Sequence, residues 1–157
     1  MNGQAVCVRP KRAEDRDFIL GLANRLMVAG RPPWRDEERM RAFHRHYAEA
    51  TAEASGEGEI VLLAEDQGGT PLGVVHVTAE TSGLTGERQA YLATLAVSEA
   101  AEGRGVGRAL LEAGEEWARR QGFRLLALDV FAHNTHARAF YARLGFREET
   151  LKLVKEL

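Results

Sequence analysis

The spacing of apolar residues predicts, in chain order, a strand, two helices, a three-strand meander, and then alternating helices and strands. Val6 and Val8 lie in the first predicted strand. Apolar residues four positions apart predict helices over Glu14–Val28 and from about Asp36 onwards. The small and acidic stretch 48–58 is expected to fray before the next strand.

The middle of the chain has the pattern of an antiparallel meander. Two β-rich runs, Glu59–Glu65 and Leu72–Glu80, flank a turn-forming stretch at 66–71 and predict a hairpin. After a Gly-containing loop, a third strand is predicted over Gln89–Val97. These three strands are expected to form the antiparallel part of one sheet.

The remaining chain predicts a helix over Arg104–Arg120, a strand over Leu125–Phe131 and a helix over Thr135–Leu144. The last segment, Phe146–Leu157, alternates weakly, and we expect an edge strand or a strand exchanged with a second copy in a homodimer. The element order predicts an α/β fold, a mixed sheet with helices on its faces. The whole chain, 1–157, is expected to be one domain.

Composition narrows the classes of function. The 21 basic and 23 acidic residues give a net charge of −2, which does not favour a nucleic-acid partner. A single cysteine, Cys7, cannot form an internal disulfide and favours a reducing cytoplasmic location. The longest apolar run, Ile60–Ala64, is too short to span a membrane. The histidines lack partners at zinc-ligand spacing, so we expect no metal site.

Candidate chemistry appears at Gly103, Gly105 and Gly107, which lie between a predicted strand and an amphipathic helix. Unobstructed backbone amides and the positive helix terminus point to the same place there, which favours phosphate binding. Arg108 occupies the last glycine position of a dinucleotide fingerprint, and no P-loop lysine follows. The alternative is a tight turn whose glycines serve backbone angles alone.

Two sequence blocks resemble the GNAT N-acetyltransferase superfamily. The first is Gly-x-Gly-x-Gly followed by Arg-Ala-Leu-Leu, after a strand ending Leu-Ala-Val, which is similar to the family's acyl-CoA-binding motif. The second begins at Asn134, with Ala137, Tyr141 and Leu-Gly-Phe at the family's spacing. The resemblance implies a GNAT-type fold, in which an antiparallel meander is followed by a parallel β-α-β unit with splayed central strands.

The resemblance also implies a site for acetyl-CoA, the acetyl donor. Backbone groups of one strand would pair with the pantetheine arm, the glycine-rich amides would hold the pyrophosphate, and Asn134 would contact the pantetheine or phosphate region. The residues expected to contact the donor are Leu95, Ala96, Val97, Glu102, Gly103, Arg104, Gly105, Val106, Gly107, Arg108, Asn134, Ala137 and Phe140. The family usually has Gln or Arg where this chain has Glu102, so we expect backbone contacts only from Glu102, with Arg104 and Arg108 supplying positive charge.

Proton transfer requires an acid and a base. By resemblance, Tyr141 would be the general acid for the departing thiolate, although by itself it also fits a core aromatic residue. Asp129 is the one charge in an apolar strand and could act as base through water or only accept a hydrogen bond. His76 and Glu80 share a strand face, and either could take the proton if that face lines the acceptor cleft.

The predicted function is transfer of an acetyl group from acetyl-CoA to a primary amine of a small molecule or of a protein, through a ternary complex. In this family the region between the first two helices roofs the acceptor pocket, so Trp34 is either an acceptor platform or a surface anchor. The alternative function is a non-catalytic acyl-CoA-binding sensor or interaction module.

Overall fold

A computed structural model describes residues 6–157, which contain five strands and four α-helices. The strands are β1 Cys7–Pro10, β2 Glu59–Glu65, β3 Pro71–Thr81, β4 Arg88–Val97 and β5 Leu126–Ala127. The helices are α1 Arg16–Gly21, α2 Glu37–Glu53, α3 Val106–Arg120 and α4 Thr135–Arg143. Short 3-10 turns cover Ala13–Asp15, Leu22–Met27 and Glu99–Ala101. In the described part of the chain no helix is long and apolar enough to cross a membrane.

The strands form one sheet in the order β1-β2-β3-β4-β5. The first four strands are antiparallel to their neighbours, whereas β5 is parallel to β4. This arrangement confirms the predicted hairpin, the meander and the mixed α/β fold. Its antiparallel part is long because consecutive apolar residues of β2 and β3 are buried on both faces of the sheet.

Two apolar clusters cover the two faces of the sheet. The face towards α3 contains Val75 and Val77 packed with Leu110 and Trp117. The opposite face, towards α1 and α2, is built by Ile19, Leu22, Ala52, Val61, Leu63, Val74 and Ala96. The sheet is therefore enclosed between two layers of helix, as expected for a mixed sheet with helices on its faces.

A β-bulge in β4 marks the place where the last two strands of the sheet, β4 and β5, stop pairing. Leu92 and Thr94 lie opposite Val77 and His76, so Ala93 is the extra residue in β4. The parallel pairing with β5 stops just before this bulge, at Tyr91. Beyond it the two strands are no longer paired, which agrees with the splay that the family resemblance implied.

Three predicted elements differ from the structure. The strand predicted over Leu125–Phe131 is paired only at Leu126–Ala127, because β4 bulges away from it. The first predicted helix is α-helical only over Arg16–Gly21 and continues as a 3-10 turn. The final segment, Phe146–Leu157, forms no strand with the sheet of its own chain.

The prediction that residues 48–58 fray is wrong for the first part of that stretch. Helix α2 continues to Glu53, and Ala48, Thr51 and Ala52 are buried. Lys11 Nζ donates to the carbonyl oxygens of Ala52 and Ala54, each at 2.6 Å. This cation at the helix C-terminus satisfies carbonyl groups that the helix leaves unpaired, and so stabilises the last turn.

A buried ion-pair network anchors the first strand, and its loss is expected to destabilise the protein. Arg9 donates to both carboxylate oxygens of Asp15, at 2.7 and 2.9 Å, and to Glu65 at 2.5 Å. Asp15 is 4% exposed, and its bonds to Arg9 lower the pKa of its carboxyl. Because that pKa is lowered on folding, the stabilisation is present at neutral pH and lost as the pH falls through the folded-state value.

Asp15→Asn is therefore expected to lower the free energy of unfolding by about 3 kcal/mol, measured by urea denaturation at neutral pH. Glu37→Gln is the matched control, since it removes an exposed carboxylate from the ion pair with Arg41. Its effect should stay within about 0.5 kcal/mol. Equal losses in the two variants would show that burial of the Asp15 network contributes nothing.

Candidate active site

The separation of β4 and β5 leaves a strip of β4 backbone beyond the reach of β5. Leu95, Ala96 and Val97 lie in this strip, and their inner edge pairs with β3. Alternate residues of an antiparallel strand direct their N–H and C=O groups away from the paired neighbour. The strip therefore offers strand-like hydrogen-bonding positions to an extended polar ligand. At its end, Arg25 Nε donates to the carbonyl oxygen of Val97 at 3.3 Å.

The glycine-rich loop continues from this strip into the N-terminus of α3. Gly103 and Gly105 have φ angles of 71° and 77°, which side chains other than glycine rarely allow. Helix α3 begins at Val106, so the first amides of the helix lack intrahelical acceptors. Positive φ angles followed by a helix N-terminus form a cradle of backbone N–H groups suited to an anion. The residues present therefore fit a diphosphate.

The charged side chains around this loop have partners of their own. The Glu102 carboxylate forms an ion pair with Arg25, in the 3-10 turn before α2. Arg108 forms an ion pair with Glu112. The pKa of Asp66 is lowered mainly because backbone amides donate to its carboxylate, and the positive charge of Arg104 adds to this effect. The negative charge of Glu102 is thus offset by Arg25, which the sequence did not single out.

Helix α4 lies against the start of α3. A Cβ placed on Gly107 would meet the Phe140 ring at 3.6 Å, so this glycine allows the two helices to approach. Tyr141 packs beside Phe140 and Phe146, with ring centroids 5.2 and 5.5 Å away. Burial raises the pKa of Tyr141 to about 12, which keeps its hydroxyl protonated at neutral pH. The structure therefore brings the Tyr141 helix next to the anion cradle.

Asn134 has a local structural task at the start of α4. Its side-chain oxygen accepts a hydrogen bond from the Ala137 amide at 3.1 Å, which caps the helix. This use of the oxygen leaves the amide NH2 group as the part of Asn134 suited to contact a ligand. The spacing of Asn134 and Ala137 thus has a capping explanation independent of any ligand contact.

The opposite face of the sheet carries a polar cluster at the same gap. Ala90 and Leu92 face α3, so Tyr91 projects to the α2 side. The Tyr91 hydroxyl donates to Asp129 Oδ2 at 2.9 Å and bridges β4 to the chain after β5. Burial, followed by the bond to Asp129, raises the pKa of Tyr91, so its hydroxyl remains a proton donor at neutral pH.

Glu80 adjoins this cluster, whereas His76 is separated from solvent. Glu80 Oε1 accepts from Gln89 Nε2 at 2.7 Å, and its charge also contributes to the raised pKa of Tyr91. His76 is 4% exposed, with Nδ1 at 3.2 Å from Thr51 Oγ1 and Nε2 at 2.9 Å from Glu59 Oε2. Burial lowers the pKa of His76 despite Glu59. The structure brings Asp129 and Glu80 towards Tyr91 but gives both His76 nitrogens other partners.

An aromatic pocket of about 480 Å³ lies between the start of α2 and Phe131, which follows β5 in the chain. It is lined by Trp34, Arg35, Asp36, Arg39, Met40, Phe43 and Phe131. Phe131 follows Asp129 by two residues, and its ring lies 6.5 Å from that of Phe43 on α2. Trp34 is 47% exposed, as expected for a residue at a pocket mouth. The pocket combines aromatic surfaces with guanidinium groups, and Phe131 connects it to the chain segment that carries Asp129.

Comparison with known proteins identifies the family. The sequence model described as "Acetyltransferase (GNAT) family" matches residues 21–146. The chain therefore belongs to the GNAT acetyltransferase family, as its two sequence blocks predicted. The match includes the glycine-rich loop and ends just after α4.

Individual relatives are consistent with this family assignment, since they too are described as acetyltransferases. The uncharacterized N-acetyltransferase YycN of Bacillus subtilis is 35% identical over 71 residues, which are 45% of this chain and 46% of the relative, so the match spans less than half of that protein. A putative acetyl transferase from Pyrococcus furiosus has a similar structure, with TM-score 0.77 and 22% identity over 98% of this chain and 100% of that one. AAC(6')-Iy, in complex with the bisubstrate analog CoA-S-monomethyl-acetylneamine, gives TM-score 0.70 and 20% identity over 98% and 99% of the two chains. At these identities the structures establish the shared fold.

Proposed function

We propose that this protein transfers an acetyl group from acetyl-CoA to a primary amine, within one domain formed by residues 1–157. The observation that carries the proposal is the gap between β4 and β5, which has the anion cradle and Tyr141 on one face and the Tyr91–Asp129 pair on the other. A donor entering from the cradle and an acceptor entering from the aromatic pocket can meet in this gap. That arrangement supports direct transfer in a ternary complex.

Activation of the amine is the task of the acceptor side. An alkylamine with a pKa near ~10 is a free base in only about one molecule in a thousand at neutral pH. Asp129 accepts a hydrogen bond from Tyr91 through Oδ2, and the remaining carboxylate oxygen can attract the ammonium group and pass its proton to water. Glu80 adds negative charge nearby, which favours a cationic acceptor. We assign His76 to the buried network with Thr51 and Glu59.

The donor side stabilises the charge that develops during transfer. Acetyl-CoA supplies the thioester acetyl group, and the unpaired strip of β4 offers main-chain N–H groups to its carbonyl oxygen, an interaction worth roughly 3 kcal/mol in the transition state. Tyr141 has a pKa of about 12, above the value of ~8.5 for an ordinary thiol. Full proton transfer from Tyr141 to a thiolate is therefore uphill, and its first contribution is a hydrogen bond to the sulfur as the bond breaks.

The acceptor pocket favours a primary amine attached to an apolar or aromatic body. Phe43 and Phe131 provide ring surfaces, and Arg35 and Arg39 can attract an anionic substituent. Small molecules and peptide amino groups both satisfy these conditions. A pair of substrates, phenylalanine and phenylalanine amide, tests the contribution of a carboxylate at constant ring, provided that rates are compared per free-amine fraction, because the amide also lowers the pKa of the amino group.

The experiment that tests the function is amine-dependent release of CoA thiol from acetyl-CoA, with acetylated amine identified by mass spectrometry. The panel contains small amines, aminoglycosides, lysine and short peptides, as well as the phenylalanine pair. The Cys7 side chain is exposed, so the Cys7→Ser variant removes a background thiol from the assay. We expect many turnovers with at least one amine. Tight CoA binding without amine-dependent release would instead support the sensor alternative.

A further inference from the structure

His44 is a buried histidine on α2 whose ring nitrogens have no partner in the described part of the chain. The residue is 7% exposed, and within residues 6–157 neither nitrogen takes part in a hydrogen bond or an ion pair. No fully buried side-chain nitrogen in those residues lacks a partner, so the accessible part of His44 includes its ring nitrogens. His76 is similarly buried but has both nitrogens bonded. The His44 imidazole is therefore available to bond a ligand.

The contacts of His44 place it beside the aromatic pocket. Its ring centroid lies 5.2 Å from that of Phe43 and 6.2 Å from that of Phe131. Both phenylalanines line the pocket, and so does Met40, which lies one helical turn before His44. His44 thus adjoins the wall of the pocket that Phe43 and Phe131 form.

The buried face of α2 carries His44 over the gap between β4 and β5. Two helical turns after His44, about 10 Å along the helix, Thr51 lies on the same face. Thr51 donates to Thr94, the residue that follows the bulge in β4. In the other direction, His44 contacts Phe131 in the chain after β5. The helix therefore spans the gap from one strand to the other, with His44 above it.

Tyr47 and Phe131 relate His44 to the Tyr91–Asp129 pair. Tyr47 follows His44 by three residues and shares its helix face. It contributes electrostatically to the raised pKa of Tyr91 and so lies near that hydroxyl. The Tyr91 hydroxyl donates to Asp129, which precedes Phe131 by two residues. His44 and Asp129 thus lie at the same gap, on the α2 side of the sheet.

His44 is in the protonation state that a base requires. Burial lowers the pKa of His44, so the imidazole is uncharged at neutral pH and has a lone pair that can take a proton. Burial is the one cause of this shift, and no neighbouring charge contributes to it. The titratable groups around the gap are Tyr47 on α2, Glu80 on β3, Tyr91 on β4, and Asp129 and His133 after β5.

We propose that His44 is the base that takes a proton from the amine nitrogen during acetyl transfer. The assignment rests on the proposed function and adds a residue to it. A primary amine in its free form carries two protons on nitrogen, and the amide product carries one. As the N–C bond forms, the nitrogen gains positive charge, and its proton becomes acidic enough to pass to the unpaired His44 nitrogen.

The other bonds and protons balance around this step. The C–S bond breaks with its electron pair on sulfur, and Tyr141 donates a hydrogen bond to the thiolate until the thiolate takes a proton from solvent. His44 then loses its own proton to solvent through its accessible nitrogens. Asp129 acts earlier, on the ammonium form of the acceptor. The two residues thus handle different protons of the same nitrogen.

Steady-state kinetics of His44→Gln test the assignment. Glutamine retains a polar side chain but cannot act as a base at neutral pH. We expect kcat to fall about 100-fold, and unchanged CoA affinity to show that the donor site is intact. His46→Gln is the matched control, because His46 is exposed on the same helix, and its kcat should be unchanged. A normal kcat in His44→Gln would overturn the role of His44.

Chemical rescue separates a base from a residue that only fills space. His44→Ala leaves a space that free imidazole can enter. We expect imidazole to raise the kcat of this variant at least about tenfold. Pyrazole, a ring of the same size that is a much weaker base, should not raise it. Equal effects of the two rings would contradict a base at this position.

The pH profile provides a further readout that a structural role would not change. Because His44 must be unprotonated, kcat should fall as the pH drops through its lowered pKa. His44→Gln is expected to lose this inflection. His133→Gln is expected to keep it, although His133 also lies near the gap. Loss of the inflection in His133→Gln alone would assign the titration to His133 and overturn the proposal.

Failure of this inference is distinguishable from failure of the proposed function. If the unmodified protein acetylates no amine, the proposed function is wrong and His44 has no role in it. If the unmodified protein acetylates an amine and His44→Gln does so equally well, the function stands and only the assignment of His44 is wrong.

Discussion

Gly105→Val is expected to weaken CoA binding at least about tenfold, measured by isothermal titration with CoA. Gly105 has a φ angle of 77° and immediately precedes α3. No heavy atom outside its neighbours lies within 4 Å of a Cβ built there, so the cost comes from backbone strain rather than from a steric clash. A β-branched residue relieves that strain by rotating the backbone out of the left-handed region. The amides of the cradle would then no longer point towards the same anion.

Gly122→Val separates this effect from a general loss of stability. Gly122 has a φ angle of 80° and open space around its Cβ position, but it follows the C-terminus of α3. The two substitutions introduce the same kind of strain at opposite ends of one helix. We expect similar losses in thermal stability and normal CoA affinity for Gly122→Val only. Normal affinity in Gly105→Val would mean that the diphosphate binds elsewhere.

Tyr141→Phe is expected to lower kcat by about 100-fold with little change in CoA affinity. The substitution keeps the ring that packs between Phe140 and Phe146 and removes only the hydroxyl. That hydroxyl is held protonated by burial, so the lost interaction is a hydrogen bond to sulfur in the transition state. Steady-state kinetics with the preferred amine and titration with CoA measure the two quantities.

A core role for Tyr141 makes a different prediction from a catalytic one. If the residue only fills space, Tyr141→Phe should leave kcat near that of the unmodified protein, because the ring volume is retained. If it acts on the leaving group, a donor thioester with a more acidic thiol should be less sensitive to the substitution. Unchanged turnover with acetyl-CoA would remove Tyr141 from the mechanism.

The sequence predicted the parts of the fold that depend on local pattern. The hairpin of β2 and β3 follows from two β-rich runs and the turn residues between them. The start of α2 lies at Asp36, whose side chain accepts from the Arg39 amide. The β-bulge at Ala93 was not predictable, because it lies within a nearly continuous apolar run that contains no glycine or proline. The length of β5 depends on that bulge, which explains why its strand was predicted too long.

In the site, too, only the features that depend on local sequence pattern were predictable. The glycine spacing marks the loop because positive φ angles restrict the residue type locally. Tyr91 and Arg25 were missed because their partners, Asp129 and Glu102, lie 38 and 77 residues away. When no partner is visible in the sequence, a tyrosine in a strand is interpreted as a residue that packs against its neighbours. Only the three-dimensional arrangement shows that these pairs connect β4 to the chain after β5 and the glycine-rich loop to the turn before α2.

A crystal structure of the protein with CoA tests the central claim most directly. We predict the diphosphate within hydrogen-bonding distance of the amides from Gly103 to Arg108, the pantetheine arm along Leu95–Val97, and the sulfur beside the Tyr141 hydroxyl. A nucleotide bound away from the start of α3, or a sulfur distant from Tyr141, would contradict the account.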